Sequence, residues 1–292
     1  MSALRVIAVA GGKGGVGKTQ VAVNLGVIAA ADDARVLLID GDVGLSNADL
    51  LLDVRPRSGL VDVALGRAAI EDALVTSPFG VTLLAGAHGD VASTRLGDAE
   101  KLALLGALDS LGEAFDVVII DTASGLGADA LFFAGAADEV VIVTTPEPTA
   151  LADTYATLRA LARHHGQRRF QLVVNQAEDK AQAIDVHERI RILARRFVQS
   201  EVSLLGWVPF DLHVHEAVMR HAPVVAVSPR APASRQLRHA AHHLLAPADS
   251  ALATTRSARP TIQFFWRHVL GYPPARPVAP LQSGLGIQDE PS

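Results

Sequence analysis

A few residues carry the chemistry open to this chain: two lysines and a threonine in a glycine run, and three strand-end acids. The run is Gly11-Gly12-Lys13-Gly14-Gly15-Val16-Gly17-Lys18-Thr19, and residues 12–19 fit G-x-x-x-x-G-K-[ST]. Glycines let the backbone curl so that successive N–H groups point inward and form an anion nest. Lys18 would reach the β- and γ-phosphates of a nucleotide, and the Thr19 hydroxyl would ligate Mg²⁺. Gln20 belongs with the same cofactor-binding set. Asp40-Gly-Asp42 follows a second apolar run, and Asp121 ends a third, Val117-Val-Ile-Ile. Asp42 is placed to orient a water on the γ-phosphate and to stand near the metal. The plainer alternative makes Asp40 and Asp42 turn acids and caps. Asp121 would hold Mg²⁺ through water. One strand-end acid says little, but three strand ends converging on one phosphate site say much.

The same glycines also fit a dinucleotide fingerprint, Gly12-x-Gly14-x-x-Gly17, with Asp40 where a ribose-binding acid could sit. The Lys18-Thr19 pair argues against it. A dinucleotide turn packs its third glycine against the strand and has no use for a cation and a hydroxyl there.

The elements around these residues support the phosphate reading. Val6–Ala10 reads as a buried strand before the loop, and Val21–Ala31 as a helix after it. Further strands read at 36–39, 81–84, 117–120, 140–143, 172–174 and 204–208. Helices read near 59–65, 99–111, 150–164, 184–198 and 234–244. Continuous Val/Ile/Leu runs mark strands covered on both faces. Their alternation with helices predicts a doubly wound α/β fold with a mostly parallel sheet. In such a sheet the ligand lies at the carboxyl ends of the strands.

Lys13 is the surplus residue, because Lys18 already serves the phosphates. It could be a solvated loop lysine. However, Lys13-Gly-Gly-Val-Gly-Lys18-Thr19 resembles the deviant phosphate loop of the MinD/ParA family of ATPases. The resemblance implies an ATP-dependent sandwich dimer in which Lys13 crosses to the partner's nucleotide. Asp40-Gly-Asp42-Val-Gly-Leu-Ser-Asn47 is similar to that family's first switch, which implies that Asp42 is the hydrolytic residue and Asp40 shapes the site. Asn175 ends the run Leu172-Val-Val-Asn. A turn-forming asparagine is the alternative from spacing alone, but the family places an adenine-reading asparagine there. A loop resembling Val208-Pro209-Phe-Asp211 closes the base pocket in that family, which adds Pro209 and Asp211 to the expected cofactor contacts.

Within the family, three stretches look closer to the flagellar number regulators FlhG and FleN than to cell-division MinD. They are Gly44-Leu-Ser-Asn-Ala-Asp-Leu-Leu-Leu, Glu147-Pro-Thr-Ala-Leu-Ala-Asp-Thr-Tyr-Ala and Phe264-Phe-Trp-Arg-His-Val-Leu. That resemblance implies partners: the flagellar GTPase FlhF and a σ54-dependent activator like FleQ. Two rival classes stay open. A partition or positioning ATPase would bind DNA or another cargo through a strongly basic patch, which the sequence does not reveal. A metabolic ligase or kinase would need no Lys13.

Composition bounds the rest. The 292 residues carry a formal charge of −5, so bulk charge does not favour nucleic acid. There is no cysteine, which excludes disulfides, thiolate metal sites and iron–sulfur ligation. Neither a signal peptide nor an apolar stretch long enough to span a bilayer is visible, so a cytoplasmic protein is expected. His213-x-His215 and His239-x-x-His242-His243 lack carboxylate or cysteine companions and read as surface positions. The pattern at 184–198 predicts an inner face of Val186, Ile190, Leu193 and Phe197, with Arg189, Arg191, Arg195 and Arg196 outside.

Domain boundaries are expected as an ATPase domain over 1–246, a linker over 247–259, an amphipathic helix over 260–271 and a disordered tail over 272–292. Ile262, Phe265, Trp266, Val269 and Leu270 form one apolar stripe of that helix. Four arginines and no acids between residues 256 and 276 suit an anionic membrane. The protein is therefore expected at the inner face of the membrane reversibly, with the stripe docking on the protein's own body as the alternative.

Overall fold

The computed structural model describes residues 4–43, 47–86, 96–111 and 114–246. The expected membrane stripe, Ile262 to Leu270, lies outside the described residues, as do the expected linker, helix and tail.

Eight strands form one sheet in the order β3-β4-β2-β5-β1-β6-β7-β8. They are β1 (Arg5–Ala10), β2 (Val36–Gly41), β3 (Leu74–Thr76), β4 (Val81–Leu84), β5 (Val117–Thr122), β6 (Glu139–Thr144), β7 (Arg169–Ala177) and β8 (Glu201–Pro209). All pairings are parallel except β3 with β4, where Leu74 faces Leu84 at the edge. β2 and β5 are buried at every position, as strands covered on both faces must be. The expected α/β fold is therefore present. The three-residue β3 has no apolar run of its own and was not expected.

β1 lies between β5 and β6. The chain winds from β1 to β2 on one side and crosses to β6 on the other. That reversal opens a crevice above the carboxyl ends of β1, β2 and β5.

One face of the sheet is covered by α1 (Lys18–Ala31), α10 (Val224–Val227) and α11 (Pro232–Leu245). α5 (Asp98–Ser110), α6 (Ala128–Gly135), α7 (Pro148–His164) and α8 (Lys180–Leu193) cover the other. α11 presses so closely on β8 that a Cβ at Gly206 would stand 3.1 Å from the Ala240 Cβ. α9 (Leu212–Met219) joins β8 to α10, and the short α2 (Ala48–Leu51), α3 (Leu60–Ala64) and α4 (Ile70–Ala73) lie between β2 and β3.

The 180–198 segment corrects one expectation. α8 ends at Leu193, and Ala194–Val198 form a π turn. The buried face is Ala183, Val186, Ile190, Ala194 and Val198. The wider π turn brings Val198 inward and turns Phe197 outward, 59% exposed, while Leu193 at the end of α8 is 37% exposed. A constant 3.6-residue period could not reveal that shift.

Candidate functional site

The glycine run leaves β1 and turns into α1 at the crevice. Gly15 and Gly17 adopt φ 80° and 91°, a left-handed backbone that side chains resist. Gly17 stands at the start of α1, and no side chain caps that helix. Its first-turn N–H groups are thus offered to the loop, which suits an anion. The loop is also hemmed in. A Cβ at Gly12 would come 2.2 Å from the Asp153 carbonyl oxygen, and one at Gly17 would come 2.3 Å from the Asn175 amide nitrogen.

Lys18 opens α1 and is only 8% exposed. Burial lowers its pKa from the ordinary lysine value, while Asp121 and Asp42 pull the other way. Asp121, at the tip region of β5, is 1% exposed. Burial pushes its carboxyl up to about 8 and the nearby Asp40 adds to the rise, against the Thr19 hydroxyl bond and the Lys18 charge. The Asp121 Oδ1 is buried with no hydrogen-bond partner. A buried carboxylate oxygen without a donor, beside a threonine hydroxyl, is a fitting donor set for a hard cation such as Mg²⁺. Adding a divalent ion there would reverse the rise in the Asp121 pKa.

Asp40, at 1% exposure, serves the backbone. It accepts the N–H groups of Asp42 at 3.0 Å, Asn47 at 3.2 Å and Ala48 at 3.3 Å. It therefore shapes the turn on which Asp42 is carried. β2 and β5 run in register, Asp40 beside Asp121, which sets the acids of two strand ends together. The sequence expectation that Lys18, Thr19, Asp42 and Asp121 converge agrees with this arrangement.

Lys13 lies elsewhere. Its ammonium is held by the Glu147 carboxylate and by Thr149 Oγ1 at 3.1 Å. Glu147 is the residue before α7, whose Pro148 starts the helix. Sequence reasoning quoted this segment but gave Glu147, Thr149 and Asp153 no role. An acid before a proline-led helix reads as a cap, and nothing in the pattern says what faces it.

Asn175 ends its run on β7 and donates to the Val16 carbonyl at 2.8 Å, while its own Oδ1 accepts from Gln176 N at 3.0 Å. It ties β7 to the phosphate loop. Pro209 closes β8 beside Ala177. The Asp211 carboxylate caps α9 through His213 N and holds α11 through Ala233 N at 2.9 Å. Burial raises its pKa, but the Ala233 and His213 hydrogen bonds outweigh that and leave it below the usual aspartate value. Its side chain thus holds the loop's shape from within. Asn24, fully buried in α1, was missed. It accepts Val225 N at 3.1 Å and so joins α1 to α10 under the same loop.

His213 pairs with Asp211, His239 meets His243 edge to face, and among the described residues no group of three or more His, Cys, Asp or Glu side chains is placed to hold a metal ion. Among those residues no helix is long and apolar enough to cross a membrane.

Residues 4–172 match the AAA domain family. The chain is 37% identical to the antiactivator FleN of Pseudomonas aeruginosa over 80% of its own length and 84% of that protein. It is 29% identical to the flagellum site-determining protein YlxH of Helicobacter pylori, over 69% of this chain and 68% of that one. Among solved structures, the cell division ATPase MinD of Pyrococcus furiosus superposes with a TM-score of 0.67 at 27% identity, covering 82% of this chain and 98% of that one. A phosphate loop with a second lysine, acids at two neighbouring strand ends and these relatives agree: the chain belongs to the MinD/ParA family of ATPases, in its FleN/FlhG branch.

Proposed function

We propose that this protein is an ATP-dependent dimerising switch that restrains flagellar number or placement. One observation carries the switch: the loop holds two lysines, one buried among the acids and one held outside by Glu147 and Thr149. The flagellar assignment is supported by the likeness to FleN and YlxH.

Each residue has a part in this reading. Lys18 compensates charge at the β- and γ-phosphates. Gly12, Gly14, Gly15, Val16, Gly17, Thr19 and Gln20 line the nucleotide. Thr19 and Asp121, with Asp42 beside them, hold Mg²⁺, which when bound neutralises charge on the phosphate oxygens. Asp42 orients the attacking water. Asn175 and Pro209 meet the base, and Asp211 keeps their loop in shape. Reading adenine through Asn175 means exchanging its Val16 contact for the base. Lys13 leaves Glu147 on dimerisation and serves the nucleotide of the second copy. Hydrolysis is slow and regulatory, and it resets the dimer. An FlhF-type GTPase and a FleQ-like activator are the partners.

The stripe Ile262 to Leu270 anchors the dimer reversibly at an anionic membrane. One such tail binds weakly, as a single lipid chain does, and two on a dimer gain avidity of roughly 10²–10⁴.

Counting flagella per cell after gene deletion and after complementation with Lys13→Ala tests the assignment. Extra flagella in both strains support it. Unchanged numbers in the deletion strain leave the partition ATPase reading, for which ATP-dependent DNA binding is the measurement.

A further inference from the structure

Away from the phosphate loop, exposed arginines from adjoining elements gather at the opposite end of the molecule. α7 finishes there with Arg163 and His164, and β7 begins with Arg169. The π turn adds Arg195 and Arg196, all of these arginines being exposed. Arg168 donates to the Val198 carbonyl at 2.7 Å, which fastens the α7–β7 loop to the π turn. Asp185 and Glu188 are taken up by Arg189 and Arg191. Among the described residues no carboxylate comes within ion-pair distance of Arg163, Arg169, Arg195 or Arg196, although Glu201 is the strand neighbour of Arg169 and the Arg195 charge is felt at Glu188. Four exposed arginines from adjoining elements thus form a local cluster that the formal charge of −5 does not show.

Apolar side chains share the surface. The π turn exposes Phe197 to 59%, and Ile192 and Leu193, one turn earlier, are 54% and 37% exposed. The Arg196 guanidinium carbon lies 5.2 Å from the Phe197 ring centre. A π turn gives up regular helical bonding and recurs at functional positions. Here its effect is to place an aromatic ring outside where a regular helix would bury it.

The chain also leaves the described body at this end. α1 starts at the phosphate loop and finishes at Asp32, and the His242 ring nitrogen lies 3.8 Å from the Asp32 carboxylate. α11 therefore ends opposite the phosphate loop, and the sequence beyond it carries four arginines and no acids between residues 256 and 276.

We infer that this end is a lipid-facing surface of the body itself, which lies against an anionic bilayer. Acidic headgroups match the arginines, and the acyl boundary beneath them accepts Phe197, Ile192 and Leu193. A nucleic acid backbone would answer the arginines alone and leave the three apolar side chains uncovered. The inference extends the membrane part of the function proposed above, and it stands without the stripe at 262–270.

The chain has no cysteine, so Leu193→Cys gives a single attachment point for an environment-sensitive fluorophore on the full chain. With ATP and vesicles of phosphatidylglycerol and phosphatidylcholine, the emission should shift blue and be quenched by spin-labelled lipid. Pure phosphatidylcholine should give neither effect. A label at Leu102→Cys, on the exposed side of α5, should stay in water. Arg195→Ala with Arg196→Ala should weaken vesicle binding about 25-fold, at roughly fivefold per arginine. A silent label on protein that sediments with vesicles overturns the inference and leaves the tail as the sole contact. A response to duplex DNA without one to vesicles overturns it in favour of nucleic acid. A responding label in Trp266→Glu, with sedimentation unchanged, upholds the surface and removes the tail from the reading above.

Discussion

The two lysines of the phosphate loop stand five residues apart in opposite surroundings. Lys18 is buried beside Asp121 and Asp42, where moving it means leaving carboxylates uncompensated in a dry pocket. Lys13 is half-exposed and held by Glu147 and Thr149 on the next element of the rim. Removing one partner from a buried charge pair costs several kcal/mol, whereas an exposed pair is worth about 0.2–1 kcal/mol. The contrast teaches that burial locks one loop lysine in place while the other rests on a weak, exposed pair. The proposed switch would use both: Lys18 to hold the nucleotide, and Lys13 to change partner.

Breaking the fixed lysine should have the largest effect. Lys18→Ala takes the only buried ammonium out of the described acid cluster. It should raise the Kd for ATP by roughly 10³-fold or more, about 4–5 kcal/mol. Isothermal titration with ATP and Mg²⁺ checks this. Retained tight binding would make some other group the phosphate counter-charge.

Breaking the exchangeable lysine should spare binding and strike assembly. Lys13→Ala should bind ATP as a monomer within about threefold of the parent, because no part of the Lys18 pocket is touched. Its dimer should weaken by about 10²–10³-fold, the cost of losing one charged partner at a closed interface. Light scattering with ATP decides the matter. A Lys13→Ala protein that still dimerises would end the trans role. Asp42→Ala sharpens the comparison from the other side. It should bind ATP and dimerise while phosphate release falls about 10²-fold, since the water loses its orienting carboxylate.

How much of this could be read from the residues depends on how local each signal is. Lys18, Thr19 and Asp121 were legible because a strand, a glycine loop and a strand-end acid each announce themselves within ten residues. The parallel sheet was legible for the same reason, since β2 and β5 are unbroken apolar runs. Glu147 was not, because its importance lies in facing Lys13, a partner 134 residues away. Asn24 was obscure, and the tethering role of Asp211 unforeseen, for a related reason: each spends its side chain on the backbone of a distant segment. Phe197 was misread because a π turn changes the helical period inside one element. The arginine cluster was only half legible, because Arg195 and Arg196 stand on one exposed face while Arg163 and Arg169 join them from two other elements.

The smallest expected effect tests the exchange directly. Glu147→Gln keeps the shape of the Lys13 partner and removes its charge. In the monomer it should release Lys13 at little cost to folding, because an exposed pair contributes about 1 kcal/mol at most. If Lys13 must leave Glu147 before it can serve a second copy, losing the competitor should favour the dimer. The ATP-dependent dimer should then form at about two- to fivefold lower protein concentration. High salt should produce the same shift in the parent protein and a smaller one in the variant, because screening already weakens the pair that the substitution removes. Sedimentation velocity across a salt series separates the two ideas. A dimer weakened tenfold by Glu147→Gln would mean that Glu147 stays with Lys13 in the closed form, so that the two travel together as one contact.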